Sequence, residues 1–292
     1  MRANKNLPGI IAMVVAAALF TVMDAGMKLL SQHYSAMQVT ALRSLASLPL
    51  VYAYVAWRSS FAAMLHVRWP LHLLRGALAI VMLVTFVIGL RHLPLTETYA
   101  IFYVAPLLIT ALSVPLLDER VGAARWIAIC TGLAGVLVVL RPTGEGVFTL
   151  AGLAVIASAV CYTISAIAVR VLGRTDSMES LMFWLISMLA VGSTLLALPG
   201  WLPVRAADAW IIVGIGITGF CGQFGVTYAF RHGEASAVAP FEYTALVWTI
   251  GLDRLLWNTS PDRYTLLGAA IIIASGLFLA RREKIHVEAE HP

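Results

Sequence analysis

The sequence predicts an all-α integral membrane protein, with ten transmembrane helices in two inverted-topology repeats of five. Three observations carry that prediction. Apolar residues make up 60% of the 292-residue chain and charged residues only 12%, against roughly 45–50% and 25% in soluble proteins. Ten apolar stretches approach the ~20 residues that a helix needs to cross the hydrocarbon. Residues 91–141, shifted by 140, also lie on 231–281 without a gap. So few charges cannot solvate a globule of this size, and a mean hydropathy of +0.87 agrees. A soluble enzyme, a disordered chain and a nucleic-acid binder are excluded, even though the net charge is +5.

The first stretch, 8–30, follows Arg2 and Lys5. It is too long for a signal-peptide core and has no small-residue cleavage site, so it reads as a retained span. The second (36–57) carries Arg43, and the third (71–90) is uniformly apolar toward its end. The fourth (95–117) contains Pro106 and Pro115, and the ninth (235–257) contains Pro240. A missing N–H and a ring clash kink a helix, which makes Pro106 and Pro240 candidate hinges. The remaining stretches are 124–140, 148–171, 178–198, 207–230 and 263–281. All must be helical, because lipid offers no partner for an unpaired backbone group. The connections are short, and a polar tail, 282–292, follows Arg281.

The distribution of Lys and Arg sets the orientation. With a cytoplasmic N-terminus, thirteen fall on that side, six on the other, and Arg43 within a span. Both termini are therefore expected in the cytoplasm, in a cell inner membrane.

Nine of the 51 residues matched by the 140-residue shift are identical, among them Arg91-His92 with Arg231-His232 and Tyr103 with Tyr243. Further upstream, Lys28 falls near Arg170. The chain divides into residues 1–141 and 147–281, five spans each. Five is odd, so equivalent residues face opposite sides of the membrane. Such inverted repeats put a substrate site near the midplane and permit alternating access.

Several segments carry a family resemblance. They are Lys28 closing span 1, Arg43 in span 2, LPLTETYAIFYVAPLLITALSVPLLDERV (93–121) with Pro106 and Glu119, RW at 125–126, and EASAVAPFEY with GAAIIIASGLFLARR in the second half. With ten spans in under 300 residues, the chain resembles the drug/metabolite transporter superfamily and its EamA-type members. That resemblance implies secondary transport of small organic metabolites through a central cavity, lined mainly by spans 1, 3, 4, 6, 8 and 9. Two departures stand out: Glu119 is matched by Thr259, and Arg43 by Trp184.

An ionisable group near mid-bilayer costs at least ~2.5–3.5 kcal/mol, so each needs a reason. Asp24 and Lys28, four apart on span 1, are expected to stack as an ion pair. The pair either pins span 1 or forms an outer gate, with Arg43 bracing it. Glu242, beside Tyr243 and two residues after Pro240, lies at the depth of Gln223 on span 8. It is either bound between helices or linked to substrate or to a coupled proton. Tyr99, Tyr103, Tyr162, Phe86 and Trp248, together with Tyr228 and Tyr243, are candidates for an aromatic cavity wall with hydroxyl handles.

Gly214-Ile-Gly-Ile-Thr-Gly219 spells a dinucleotide fingerprint, but it lies inside an apolar span rather than after a strand. Small residues that let helices approach explain it. No zinc-protease, nucleophile-elbow or P-loop motif is present, so neither an enzyme nor a cofactor or metal is expected. Energy then comes from the substrate gradient or a coupled ion. The family resemblance implies a cargo that is amino-acid-like, an opine-type metal chelator or a cofactor-sized solute, with export favoured. The alternatives are import of riboflavin or S-adenosylmethionine, and a lipid-carrier flippase using Lys28 and Arg43 as phosphate-binding bases. The chain is expected to act as a monomer or homodimer.

Overall fold

The computed structural model describes residues 6–58, 67–119, 121–140 and 149–258, and then 263–264, 266–268, 270–271, 274–275 and 278. The expected tenth span, 263–281, falls largely outside the described residues, as does the 282–292 tail. Helices α1 (Leu7–Leu30), α2 (Ala36–Arg58) and α3 (Trp69–His92) correspond to the first three stretches. Proline opens α1 and α3 in the first turn, where a missing N–H removes no helical bond. The fourth stretch is divided into α4 (Leu95–Phe102) and α5 (Val104–Leu117). α6 spans Ala123–Leu140.

In the second half, α7 (Leu150–Leu172) and α8 (Met178–Ala197) start at side-chain caps, with Thr149 accepting the Gly152 N–H and Ser177 that of Ser180, each at 3.1 Å. α9 is Ala209–His232. The ninth stretch is broken into α10 (Ala235–Val238), a 3₁₀ segment (Ala239–Thr244) and α11 (Ala245–Trp257). Six of the described helices are long and apolar enough to cross a membrane.

The end of the bundle where α1 begins is termed the near end, and the opposite end the far end. At the near end, Asn6 Oδ1 accepts the Glu234 N–H at 3.1 Å, and His72 Nε2 lies 2.8 Å from Asp176 Oδ2. At the far end, Gln38 donates to the Leu202 carbonyl (2.6 Å) and accepts its N–H (3.0 Å), while the Tyr34 hydroxyl donates to Asp208 (2.5 Å). These bonds pin the long α8–α9 connection to the start of α2.

Between the ends, α1 packs on α9, α3 on α7, and α2 on both α8 and α9. Two glycines of the false nucleotide motif, Gly216 and Gly219, lie in these contacts, as does Gly222 one turn on. A Cβ on Gly216 would sit 2.6 Å from Ala46 Cβ and under 3 Å from its backbone, and one on Gly222 would meet the Phe20 ring at 2.8 Å. Ser47 fixes the α2–α9 approach by donating to the Gly216 carbonyl at 2.9 Å. Gly214, by contrast, has no described neighbour within 4 Å of its Cβ position. Gly216→Ala is therefore expected to force α2 from α9 at a cost of ~1–3 kcal/mol, seen as a lower thermal midpoint in detergent. Gly214→Ala should change stability by less than ~0.5 kcal/mol.

Candidate functional site

The site begins with two interrupted helices. Pro106 has no N–H for the Phe102 carbonyl, and its ring crowds that carbonyl, so α4 stops at Phe102 and α5 restarts at Val104. Pro240 has the same effect in the ninth stretch, where the backbone tightens to a 3₁₀ segment over Ala239–Thr244. The two breaks meet. Tyr103 donates to the Tyr243 carbonyl (3.5 Å) and Tyr243 donates to the Tyr103 carbonyl (3.4 Å), with their rings 5.1 Å apart. Each tyrosine supplies a donor to the carbonyl of the opposite break, where lipid would supply none.

From Tyr103, edge-on ring contacts run through Tyr99 (5.9 Å) to Phe86 (5.9 Å) and on to Phe102 (5.3 Å). Phe102 then meets Tyr162 (5.3 Å), and Tyr162 meets Phe230 (6.5 Å). These rings, with Met13, Met23 and Met82, form the wall of one cavity between the two halves of the chain. Asp24, Arg43, Arg75, Gln223, Glu242 and Ser158 put polar groups into the same wall.

The Tyr99 hydroxyl donates to Asp24 Oδ2 at 2.5 Å, while Asp24 Oδ1 has no hydrogen-bond partner. Arg43 lies within electrostatic reach of Asp24 and turns its Nε to Met23 Sδ at 3.0 Å. Tyr162 donates to Glu242 Oε1 at 3.0 Å. Gln223 donates to Thr227 at 3.1 Å, along its own helix.

Asp24, Arg43, Phe86, Tyr99, Tyr103, Tyr162, Gln223 and Glu242 thus converge on one cavity, but other expectations need correction. Lys28 forms no ion pair with Asp24. Its Nζ donates to the Leu93 carbonyl at 2.6 Å and lies 5.6 Å from the Trp257 ring centroid. The end of α3 offers the negative pole of a helix dipole, whereas Asp24 is taken up by Tyr99. Trp248 is 47% exposed on α11 and does not line the cavity. Tyr243 is buried behind Tyr103, outside the lining, and Tyr228 stacks on His232 at 4.1 Å instead.

Arg75 is the seventh residue of α3 and is fully buried. Phe20 and Phe230 are further lining residues that no motif marks out, and Phe102, inside the 93–121 stretch, is a third.

Polar contacts close the bundle at both ends. At the near end, Glu119 accepts the N–H groups of Ala235 (2.9 Å) and Ser236 (3.0 Å) and the Ser236 hydroxyl (2.7 Å), with Arg170 at 3.6 Å. Arg125 joins Glu234 to Ser236. At the far end, Thr96 donates to Asp253, and Lys28 lies within electrostatic reach of the same carboxylate.

The model of the EamA-like transporter family matches residues 7–141 and again 149–281. The chain belongs to the EamA-like transporter family. Its relatives are transporters of the drug/metabolite superfamily. It is 25% identical over 281 residues to a pseudopaline exporter of Pseudomonas aeruginosa, covering 94% of this chain and 97% of that one. It is 31% identical over 229 residues to a riboflavin transporter of Rhizobium johnstonii (77% and 75%) and 29% over 220 residues to an S-adenosylmethionine uptake transporter of Rickettsia conorii (75% and 74%). A solved crystal structure superposes with a TM-score of 0.78 at 20% identity, covering 97% of this chain and all of the other. That likeness establishes the fold. Membrane-spanning helices and bacterial transporter relatives make this EamA protein a multipass inner-membrane protein.

Tyr99→Phe removes the hydrogen bond to Asp24 and is expected to destabilise by ~1–3 kcal/mol. The double variant D24N/Y99F should lose less than the sum of the two single variants in thermal unfolding.

Proposed function

We propose that this EamA protein is a ten-span secondary transporter, built as two inverted five-helix repeats, that exports a small polar organic metabolite by alternating access. The observation that carries this reading is the cavity itself: it lies between the halves, at the depth where both the fourth and ninth stretches break, and both halves line it. Broken helices at a shared mid-depth site are the device of inverted-repeat transporters.

The repeat has further support. Tyr103 and Tyr243 are 140 residues apart and bond reciprocally, as residues related by a two-fold axis do. Asp118 (φ 55°) and Asn258 (φ 53°), also 140 apart, are the left-handed caps of α5 and α11. Arg170 holds the Arg231 carbonyl at 3.1 Å at one end as Lys28 holds that of Leu93 at the other.

In this mechanism the Glu119–Ser236 and Asp253–Thr96 contacts are the two gates, and the backbone at Pro106 and Pro240 hinges. Glu242 receives a proton or a cationic group of the solute, with Tyr162 orienting its carboxylate. Asp24, Arg43, Tyr99 and Gln223 complete the solute's contacts. The cargo is amino-acid-like, opine-like or cofactor-sized, as the relatives' names suggest. Lys28 bonded to a helix-end carbonyl and Arg43 facing Asp24 leave no free pair of bases for a lipid phosphate, which disfavours the flippase.

Both termini are assigned to the cytoplasm, so reporter fusions at 31–35 and 143–147 should read periplasmic and those at 59–66 and 173–177 cytoplasmic. Equal readings at equivalent loops of the two halves would end the inverted-repeat reading. In proteoliposomes challenged with labelled amino acids, riboflavin and S-adenosylmethionine, Glu242→Gln is expected to lower transport about tenfold, the equivalent of ~1.4 kcal/mol, and to flatten its pH dependence. Unchanged pH dependence would remove Glu242 from proton coupling.

A further inference from the structure

We infer that Arg75 is the anion-recognition residue of the cavity, and that the solute it admits carries a carboxylate. The inference deepens the transport reading above and rests on it. Arg75 is 1% exposed and lines the cavity. Its Nη1 donates to the Leu181 carbonyl at 2.9 Å, and its Nε has no partner. No carboxylate among the described residues forms an ion pair with it within 4.0 Å.

The other charged groups of the wall each have an oppositely charged or hydrogen-bonding neighbour. Arg43 faces Asp24, and Glu242 accepts from Tyr162. Asp176, which approaches from the near end, is taken up by His72 (2.8 Å), Thr175 (2.8 Å) and the Arg68 N–H (3.4 Å). Arg75 is therefore a buried guanidinium without a counter-ion. Burying an unpaired charge costs several kcal/mol, and one backbone carbonyl does not offset that. A planar fork of donors suits a carboxylate, which it can hold through two parallel bonds.

Depth supports the assignment. At 1.5 Å of rise per residue, Arg75 enters α3 ~9 Å from its near-end start, while Asp24 sits ~25 Å along α1. The unpaired cation and the Asp24–Arg43 pair thus occupy opposite ends of the cavity. A solute whose carboxylate is held by Arg75 extends its remaining bulk along the aromatic wall.

The test measures binding by the purified full-length protein in detergent. Wild type, Arg75→Gln and Arg75→Lys are titrated, by thermal shift, with each of the twenty L-amino acids, glutarate and S-adenosylmethionine. The carboxamide of any binder is added, and riboflavin serves as a carboxylate-free control. At least one carboxylate is expected to raise the wild-type midpoint and to bind at least about tenfold more tightly than its carboxamide, ~1.4 kcal/mol. In R75Q that preference should vanish, and R75K should keep part of it.

The inference is overturned if no carboxylate binds wild type, if riboflavin alone binds, or if the carboxylate preference survives in R75Q. A guanidinium that merely braces α8 predicts that last result, together with a lower ligand-free midpoint. Should R75Q fail to fold, R75K decides, since it keeps the charge and loses the fork. Arg75-dependent carboxylate binding by a protein that moves no solute would sink the transport reading alone. Solute movement unchanged by R75Q would sink this inference alone.

Discussion

A chain in hydrocarbon must satisfy its own backbone, and that requirement governs this structure. Regular helices meet it throughout α1, α2, α3, α7, α8 and α9. The fourth and ninth stretches do not, because proline removes a donor and displaces a carbonyl in each. The breaks face one another, and each tyrosine donates to the carbonyl of the other. The two halves are thus tied together at their interrupted helices. The cavity wall starts at this contact.

The same rule, applied to charge, sorts the ionisable residues. Lys28 and Arg170 go to helix-end carbonyls, where the dipole is negative. Glu119 goes to the exposed N–H groups that open α10, where it is positive. These contacts build the ends. The remaining charged groups, Asp24, Arg43, Arg75 and Glu242, face the interior space together. Position along the helix thus divides bracing charges from those of the cavity.

Hydropathy alone places the outer ends of the described stretches to within two residues but not the breaks inside the fourth and ninth, because the bilayer dictates the length of a span and not its regularity. The shift of 140 was equally legible and paired Tyr103 with Tyr243 before any coordinates. Most of the cavity could also be read, since a tyrosine or carboxylate inside an apolar run has few places to go. The failures have a common cause. Periodicity gives neighbours along one helix but not across helices, so Lys28 was paired with Asp24 rather than with a carbonyl 65 residues away. Trp248 has the right composition for a wall, but it lies on the outer side of α11. Arg75 stands near the start of its stretch, where a basic residue ordinarily marks the membrane surface. Only the packing of α3 against α8 reveals that it is enclosed.

Three thioether chains lie in the cavity wall beside its rings: Met13 and Met23 on α1 and Met82 on α3. Such chains rotate at small cost and mould to irregular outlines, whereas Asp24, Glu242 and Arg75 each hold at least one hydrogen bond that fixes their place. Under the transport reading, such a chamber would tolerate variation in a guest's shape and select for where its charges lie. Cargo preference in a lineage built on this plan would then shift through exchange of a few ionic groups.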